Sequence, residues 1–268
     1  MKLIFSRKGF DGRAGGCPSP IIDGQSISLP IPYDNSTISF CDVGLGEIVP
    51  NLTNNRIGPA DSCHPDPDLK MGAFGQVSAA QSHLKNQNVG SGDLFLFFGW
   101  FREAEIVEGR YRYIRGAPNH HRIFGWLFVD KKVTVGSETE KFQQKYPDYA
   151  DHPHATGPWE SNNTIYIAPE TFTLPNGRQM PGCGKFCQSN KTLLTGKGES
   201  SKRYWAVPDW LNPQKGGCIP SYHSKASYKK GILESARRGQ EFVCVPTPQM
   251  KEDFEDWLLG IFDGVKTI

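Results

Sequence analysis

Apolar residues fall in short runs along this chain rather than in long periodic stripes. Met1–Phe5 predicts a short buried strand, followed by a Gly/Pro loop over Arg7–Pro20, and Ile27–Pro32 predicts a second short strand. Residues 42–72 carry little periodicity and read as a long irregular segment, which in a compact domain is usually functional or lid-like. Ala79, Ala80, His83 and Leu84 recur at helical spacing and predict a helix over Ala73–Leu84. The strongest strand signals are Asp93–Phe101 and Arg122–Val129, rich in aromatic, β-branched and aliphatic residues, with Thr164–Ala168 as a third. Ser227–Arg238 predicts a helix closed by Gly239, and Glu241–Val245 a strand. At the end, Thr247 reads as an N-cap and Pro248 as the first turn. Met250, Phe254, Trp257, Leu258 and Ile261 then share one face, so a helix over about 247–264 should close the core. The elements do not alternate as strand and helix, and neither a repeat nor a low-complexity linker interrupts them. The expected architecture is one β-rich α+β domain over residues 1–268.

Composition narrows the class. A chain of 268 residues with 37% hydrophobic positions can fill a core. Its longest apolar run, Leu94–Trp100, is strand-sized and far short of the ~20 residues a membrane span needs. Met1–Phe5 leads straight into Arg7 and Lys8, with no apolar segment of signal-peptide length. The cysteines are sparse and odd in number (Cys17, Cys41, Cys63, Cys183, Cys187, Cys218 and Cys244), which reads as reduced thiols in a cytoplasmic protein. Cys183 and Cys187 can supply half a zinc site, but no second close Cys/His pair follows. A net charge of +2 argues against a basic coat for non-specific nucleic-acid binding and leaves room for a local cationic groove.

Five clusters carry candidate chemistry. Ser6–Pro20 is a Gly-rich loop leaving a strand, with Arg7, Lys8 and Arg13 beside Asp11; such a loop can cradle phosphate, although it is neither a P-loop nor a dinucleotide fingerprint. Arg102, at the end of the first aromatic strand, joins these as a phosphate candidate. In Cys63-His64-Pro65-Asp66-Pro67-Asp68 the prolines should hold the chain extended, projecting His64, Asp66 and Asp68 to one side as an acid/base set or divalent-metal ligands; the bland alternative is an exposed turn. His152 and His154 alternate and can reach the same metal, while His120 and His121 precede the second aromatic strand. Trp100 and Trp126 are candidates for stacking on a nucleobase, against core packing as the alternative. Finally, His223 and Glu241 flank the predicted helix, and Glu241, opening a strand, can point into a cleft.

Read together, these segments resemble the nucleotide modification associated domain 3 family. The resemblance rests on Ser-Arg-Lys-Gly-Phe-Asp with its Pro-Ser-Pro, on Ser28-Leu29-Pro30-Ile31-Pro32, and on Cys-His-Pro-Asp-Pro-Asp-Leu. Phe74-Gly75-Gln76, Gly92-Asp93-Leu94-Phe95-Leu96-Phe97-Phe98-Gly99 and Gly239-Gln240-Glu241-Phe242-Val243 extend it to about residue 245. It implies a partner of DNA-base-modification systems of bacteria and phages, acting inside the cell around modified bases, without supplying a reaction. Two further likenesses bear on fold. The paired aromatic strands look like consecutive barrel strands of the PUA-like (ASCH/EVE-type) group, which includes base-reading domains. A helix leading into a strand with Glu241, with Arg7 on the first strand, is similar to DNA-directed ADP-ribosyltransferases, although the intermediate motif of that family is not evident.

Two functions from different classes follow. One is a nucleotide- or nucleobase-modifying transferase or hydrolase, with Arg7 and Lys8 on phosphate and His64, Asp66 and Asp68 moving protons or holding a divalent metal. Glu241 would then position the substrate. The other is a non-catalytic reader that inserts a modified base into an aromatic pocket. The expected partners are a nucleotide or DNA with a modified base and other base-modification enzymes, with no membrane. The polar clusters favour the enzyme.

Overall fold

The computed structural model describes residues 1–186, 190–263 and 265; Cys187 lies outside them. In chain order the strands of the first half are β1 (Leu3–Arg7), β2 (Ser19–Ile22), β3 (Gln25–Ser26), β4 (Ile31–Pro32), β5 (Cys63–His64) and β6 (Ala73–Gln76), with α1 (Ile48–Thr53) between β4 and β5. Then come α2 (Ser78–Asn86), β7 (Leu94–Val107), β8 (Arg110–Tyr113), β9 (His120–Phe128), β10 (Lys131–Thr134), α3 (Thr139–Lys145) and β11 (Thr164–Ile167). The remainder runs β12 (Thr171–Thr173), β13 (Gln179–Pro181), β14 (Cys183–Lys185), β15 (Tyr204–Ala206), β16 (Tyr228–Lys229), β17 (Ile232–Glu234), β18 (Glu241–Cys244) and α4 (Lys251–Ile261).

The main sheet has the order β14-β9-β7-β1-β18, with β2, β3 and β8 attached at its side. β1 lies parallel to β7 and antiparallel to β18. Its apolar runs are uninterrupted because both faces are buried. Leu3, Phe5, Leu94, Leu96 and Phe98 enter one core cluster, closed by Phe254, Leu258 and Ile261 of α4. Ile4, Phe95 and Phe97 enter the other, against Phe74 of β6 and Tyr166 of β11. This alternation is the period of two that a strand imposes. A second, three-stranded sheet, β10-β11-β6, supplies that covering layer.

The β-rich α+β class is as the sequence predicts, but none of the sheets closes into a barrel, so the two aromatic strands are neighbours in an open sheet. Ala73–Leu84 splits into strand and helix because Ala73–Gln76 pairs with β11 along its whole length, overriding the alanine-rich pattern after it. Ser227–Arg238 is not a helix. Lys230 and Gly231, both at positive φ, form the two-residue turn of a hairpin that pairs Tyr228 with Leu233 and Lys229 with Ile232. Thr247 does not cap α4: its hydroxyl donates to Gly216 O at 3.0 Å, and one 3-10 turn precedes the helix. Of Ile27–Pro32 only the last two residues pair. Among the described residues no helix is long and apolar enough to cross a membrane.

Candidate functional site

Parallel β1 and antiparallel β18 bring the end of one and the start of the other to the same edge of the main sheet, where Ser6 faces Glu241. The end of β6, carrying Gln76, meets them there. Glu241 is fully buried, accepting from Gln76 Nε2 at 2.7 Å and Ser6 Oγ at 3.1 Å. Lys8 Nζ sits over the Phe74 ring, 3.6 Å from Glu241 and 4.0 Å from Asp66 Oδ2. Burial pushes the Glu241 carboxyl above its ordinary range, with Lys8, Ser6 and Gln76 opposing it. For Asp66 the balance reverses: burial alone would raise its carboxyl, but His152 and Lys8 hold it well below the ordinary range.

Asp66 Oδ1 accepts the Gly75 N–H at 2.8 Å and lies 3.3 Å from His152 Nε2. The 63–68 segment is not extended. It folds back at Pro65, where Asp66 N–H donates to His64 O, so His64 and Asp66 reach the same site. Asp68 does not join them; its Oδ1 accepts the Lys70 and Met71 N–H groups, both at 2.9 Å, and caps the next turn. His152 and His154 share one 3-10 turn, in which His152 Nδ1 accepts the His154 N–H. His154 Nε2 faces His64 Nε2 at 3.2 Å, and His154 Nδ1 meets Asn163 Oδ1 at 2.7 Å. Asn163 spends its amide nitrogen on the His154 and Gly136 carbonyls, so its oxygen is fixed as an acceptor and His154 carries its proton on Nδ1. Burial pushes the His154 ring down to about 3 and lowers His64 as well. Trp159 stacks on His154 at 4.4 Å and 7°, and Tyr33 lies parallel to it at 6.0 Å.

Of these residues Lys8, His64, Asp66, His154 and Trp159 form the floor of a cavity of about 1160 Å³ whose walls also include Trp100, Tyr222 and Gln240. Arg7, Lys8, Arg13, Lys202, Arg203, Arg237 and Arg238 line it against only Asp11 and Asp66, which makes it electropositive although the whole chain is nearly neutral. Arg13, Arg237 and Arg238 are exposed at its mouth. Lys202 Nζ sits 3.6 Å from the Trp100 ring centre.

The other sequence candidates fall elsewhere or serve the framework. In the Gly-rich loop Asp11 Oδ1 accepts the Arg13 and Ala14 N–H groups, both at 2.7 Å, so Asp11 serves the turn. Arg7 lines the cavity, but its guanidinium donates to the Ala236 and Arg237 carbonyls. Trp126 is a core residue packed on Phe186 and Phe262, and Arg102 donates to Ile114 O beside Tyr113. His223 uses both ring nitrogens on backbone, at Ser221 O and the Ala236 N–H. Cys183 donates to Leu69 O; its proposed zinc partner Cys187 lies outside the described residues. Sequence reading missed Tyr33, Gln76 and Asn163 as individual site residues, since no local pattern distinguishes them.

His121 lines the deep wall, where its Nδ1 accepts the Trp205 indole N–H at 3.0 Å. Burial holds this ring well below the usual 6.5, so the unfolded chain takes up a proton that the fold refuses. Its contribution is therefore intact above about pH 6.5 and is lost as the pH falls. His121→Gln, which retains an acceptor for the indole, should flatten the decline of melting temperature between about pH 7 and about pH 5. An unchanged slope would assign that decline to other groups.

What fold and site define is an α+β protein with an electropositive cleft over a buried His/Asp/Lys floor. The family model for nucleotide modification associated domain 3 (Nmad3) matches residues 2–245, and the chain belongs to that family. The match stops short of α4. No curated protein and no solved structure matches the chain.

Proposed function

We propose that this chain is an enzyme acting on a nucleotide or a DNA base, with phosphate held at the cationic mouth and the base delivered to the His64–Asp66–His154 floor. The observation that carries this reading is the convergence of those three side chains, two from the 63–68 segment and one from the 153–155 turn, at the bottom of an electropositive cavity. Membership of a nucleotide-modification family supports it. The Asn163 contact turns the His154 Nε2 lone pair towards His64 Nε2, 3.2 Å away, so the floor presents two imidazole nitrogens and a carboxylate side by side. Asp66, held ionised, orients the floor, while Glu241 acts from behind by holding Lys8 and Gln76. Because Glu241 is closed off from the cavity, an ADP-ribosyltransferase-like role for it has less support than this positioning role.

Two measurements test the proposal. Single-stranded DNA should bind with a salt dependence that weakens by about 1.4 in the slope of log K against log salt when Arg237 and Arg238 are both replaced by Ala. Mass spectrometry of digested DNA and of nucleotide pools should then show a product that disappears in His64→Ala. Tight binding with no change in mass under any condition would point instead to a reader of modified bases.

A further inference from the structure

The floor has the form of a metal site. His64 Nε2, His154 Nε2 and an Asp66 carboxylate oxygen all lie within 4.8 Å of one another. Two imidazole nitrogens bound at 2.0–2.1 Å to one tetrahedral ion are separated by about 3.3 Å, and the observed Nε2 to Nε2 distance is 3.2 Å. The surroundings aim these atoms inward. Asn163 takes the Nδ1 proton of His154 and turns its Nε2 lone pair to the site. His152 Nδ1 is an acceptor and its Nε2 lies 3.3 Å from Asp66 Oδ1, the oxygen that takes the Gly75 N–H. Asp66 Oδ2 is thereby left to ligate. Lys8 does not consume it, being 4.0 Å away and closer to Glu241 at 3.6 Å. Such partners behind imidazole and carboxylate ligands are how proteins fix the orientation of a metal site.

We propose that His64, His154 and Asp66 bind one divalent first-row transition ion, with its remaining positions open to the cavity. Two imidazoles and one carboxylate suit Zn²⁺ or Fe²⁺ better than Mg²⁺ or Ca²⁺, which take oxygen ligands. The open side is the cavity, into which His64, Asp66 and His154 all face. The inference deepens the function proposed above by naming its cofactor class, and its test reads the metal rather than turnover.

The full chain, stripped with a chelator and titrated with Co²⁺, should develop the visible d–d absorption of a low-coordinate site, saturating at about one ion per chain. His64→Ala, His154→Ala and Asp66→Asn should each weaken Co²⁺ binding by at least about 100-fold, and Asn163→Ala by about 10–100-fold with the band retained. Asp68→Asn, which faces away, should leave the titration unchanged. Circular dichroism checks the fold of each variant; His64 is less buried than His154. Absence of a Co²⁺ band, or a band that survives His64→Ala and His154→Ala, overturns the metal site. If the stripped protein meanwhile binds and converts nucleotides, the proposed function stands without it. A Co²⁺ band in a chain that binds no nucleotide upholds the metal site and counts against that function.

Discussion

Lys8→Met should destabilise the protein by about 3–5 kcal/mol near neutral pH, since breaking a buried ion pair leaves a charge without its partner. The Lys8 ammonium is the cation nearest two buried carboxylates, Glu241 at 3.6 Å and Asp66 at 4.0 Å. The methionine side chain fills nearly the same volume against Phe74, so the loss is electrostatic rather than a cavity. The pH dependence of the loss identifies its origin. Burial already raises the Glu241 carboxyl in the folded chain, and Lys8 opposes that rise; without Lys8 the carboxyl climbs further. A group whose folded value is raised binds its proton more readily in the fold than when unfolded. Its contribution is present below the unfolded value and lost as the pH rises through the folded one. The gap between variant and wild type should therefore be widest at neutral and alkaline pH and narrow on acidification. Urea unfolding at several pH values measures it. A gap that stays constant with pH would mean that Lys8 acts by packing alone.

The legibility of this fold in the sequence follows burial. β1, β7, β9 and β18 are readable because both sheet faces are buried, which leaves nearly unbroken apolar runs. Two helix predictions fail for opposite reasons. At Ala73–Gln76 the pairing with β11 overrides a local alanine-rich preference, whereas at Ser227–Arg238 the Lys230-Gly231 turn signal was present and outweighed by Gly239 read as a helix stop. The site divides similarly. His64, Asp66, Lys8, His152 and His154 were visible as residue types rare in such density, and the structure brings them together. Their partners Asn163, Gln76 and Tyr33 were not, because a single hydrogen bond or ring contact, 9 residues away for Asn163 with His154, 31 for Tyr33 with His64 and 165 for Gln76 with Glu241, leaves no local pattern. Asp68 failed because a carboxylate that caps a turn looks in sequence like one that does chemistry.

On the proposed function, Gly75→Ala should abolish product formation without removing any site atom. A Cβ at this position would stand 2.1 Å from Cδ2 and 2.2 Å from Cγ of His154. The ring has nowhere to retreat: Trp159 is stacked on it at 4.4 Å and Asn163 holds its Nδ1 at 2.7 Å. The strand cannot yield either, because Gly75 pairs with Ile165 and gives its N–H to Asp66. Overpacking of this kind costs about 1–3 kcal/mol, and a displacement of about 1 Å at reacting groups costs about 10²-fold in rate. The expected result is a folded protein with a lower melting temperature, no detectable modified product, altered Trp159 fluorescence and retained binding of DNA at the cationic mouth. Adding His154→Ala should restore much of the stability, by making room for the methyl, and none of the activity. This reversal separates a steric effect on His154 from a general weakening of β6. A Gly75→Ala variant with wild-type stability and product would show that the His154 ring is free to move, and that the close fit of strand to histidine is not what holds the floor in place.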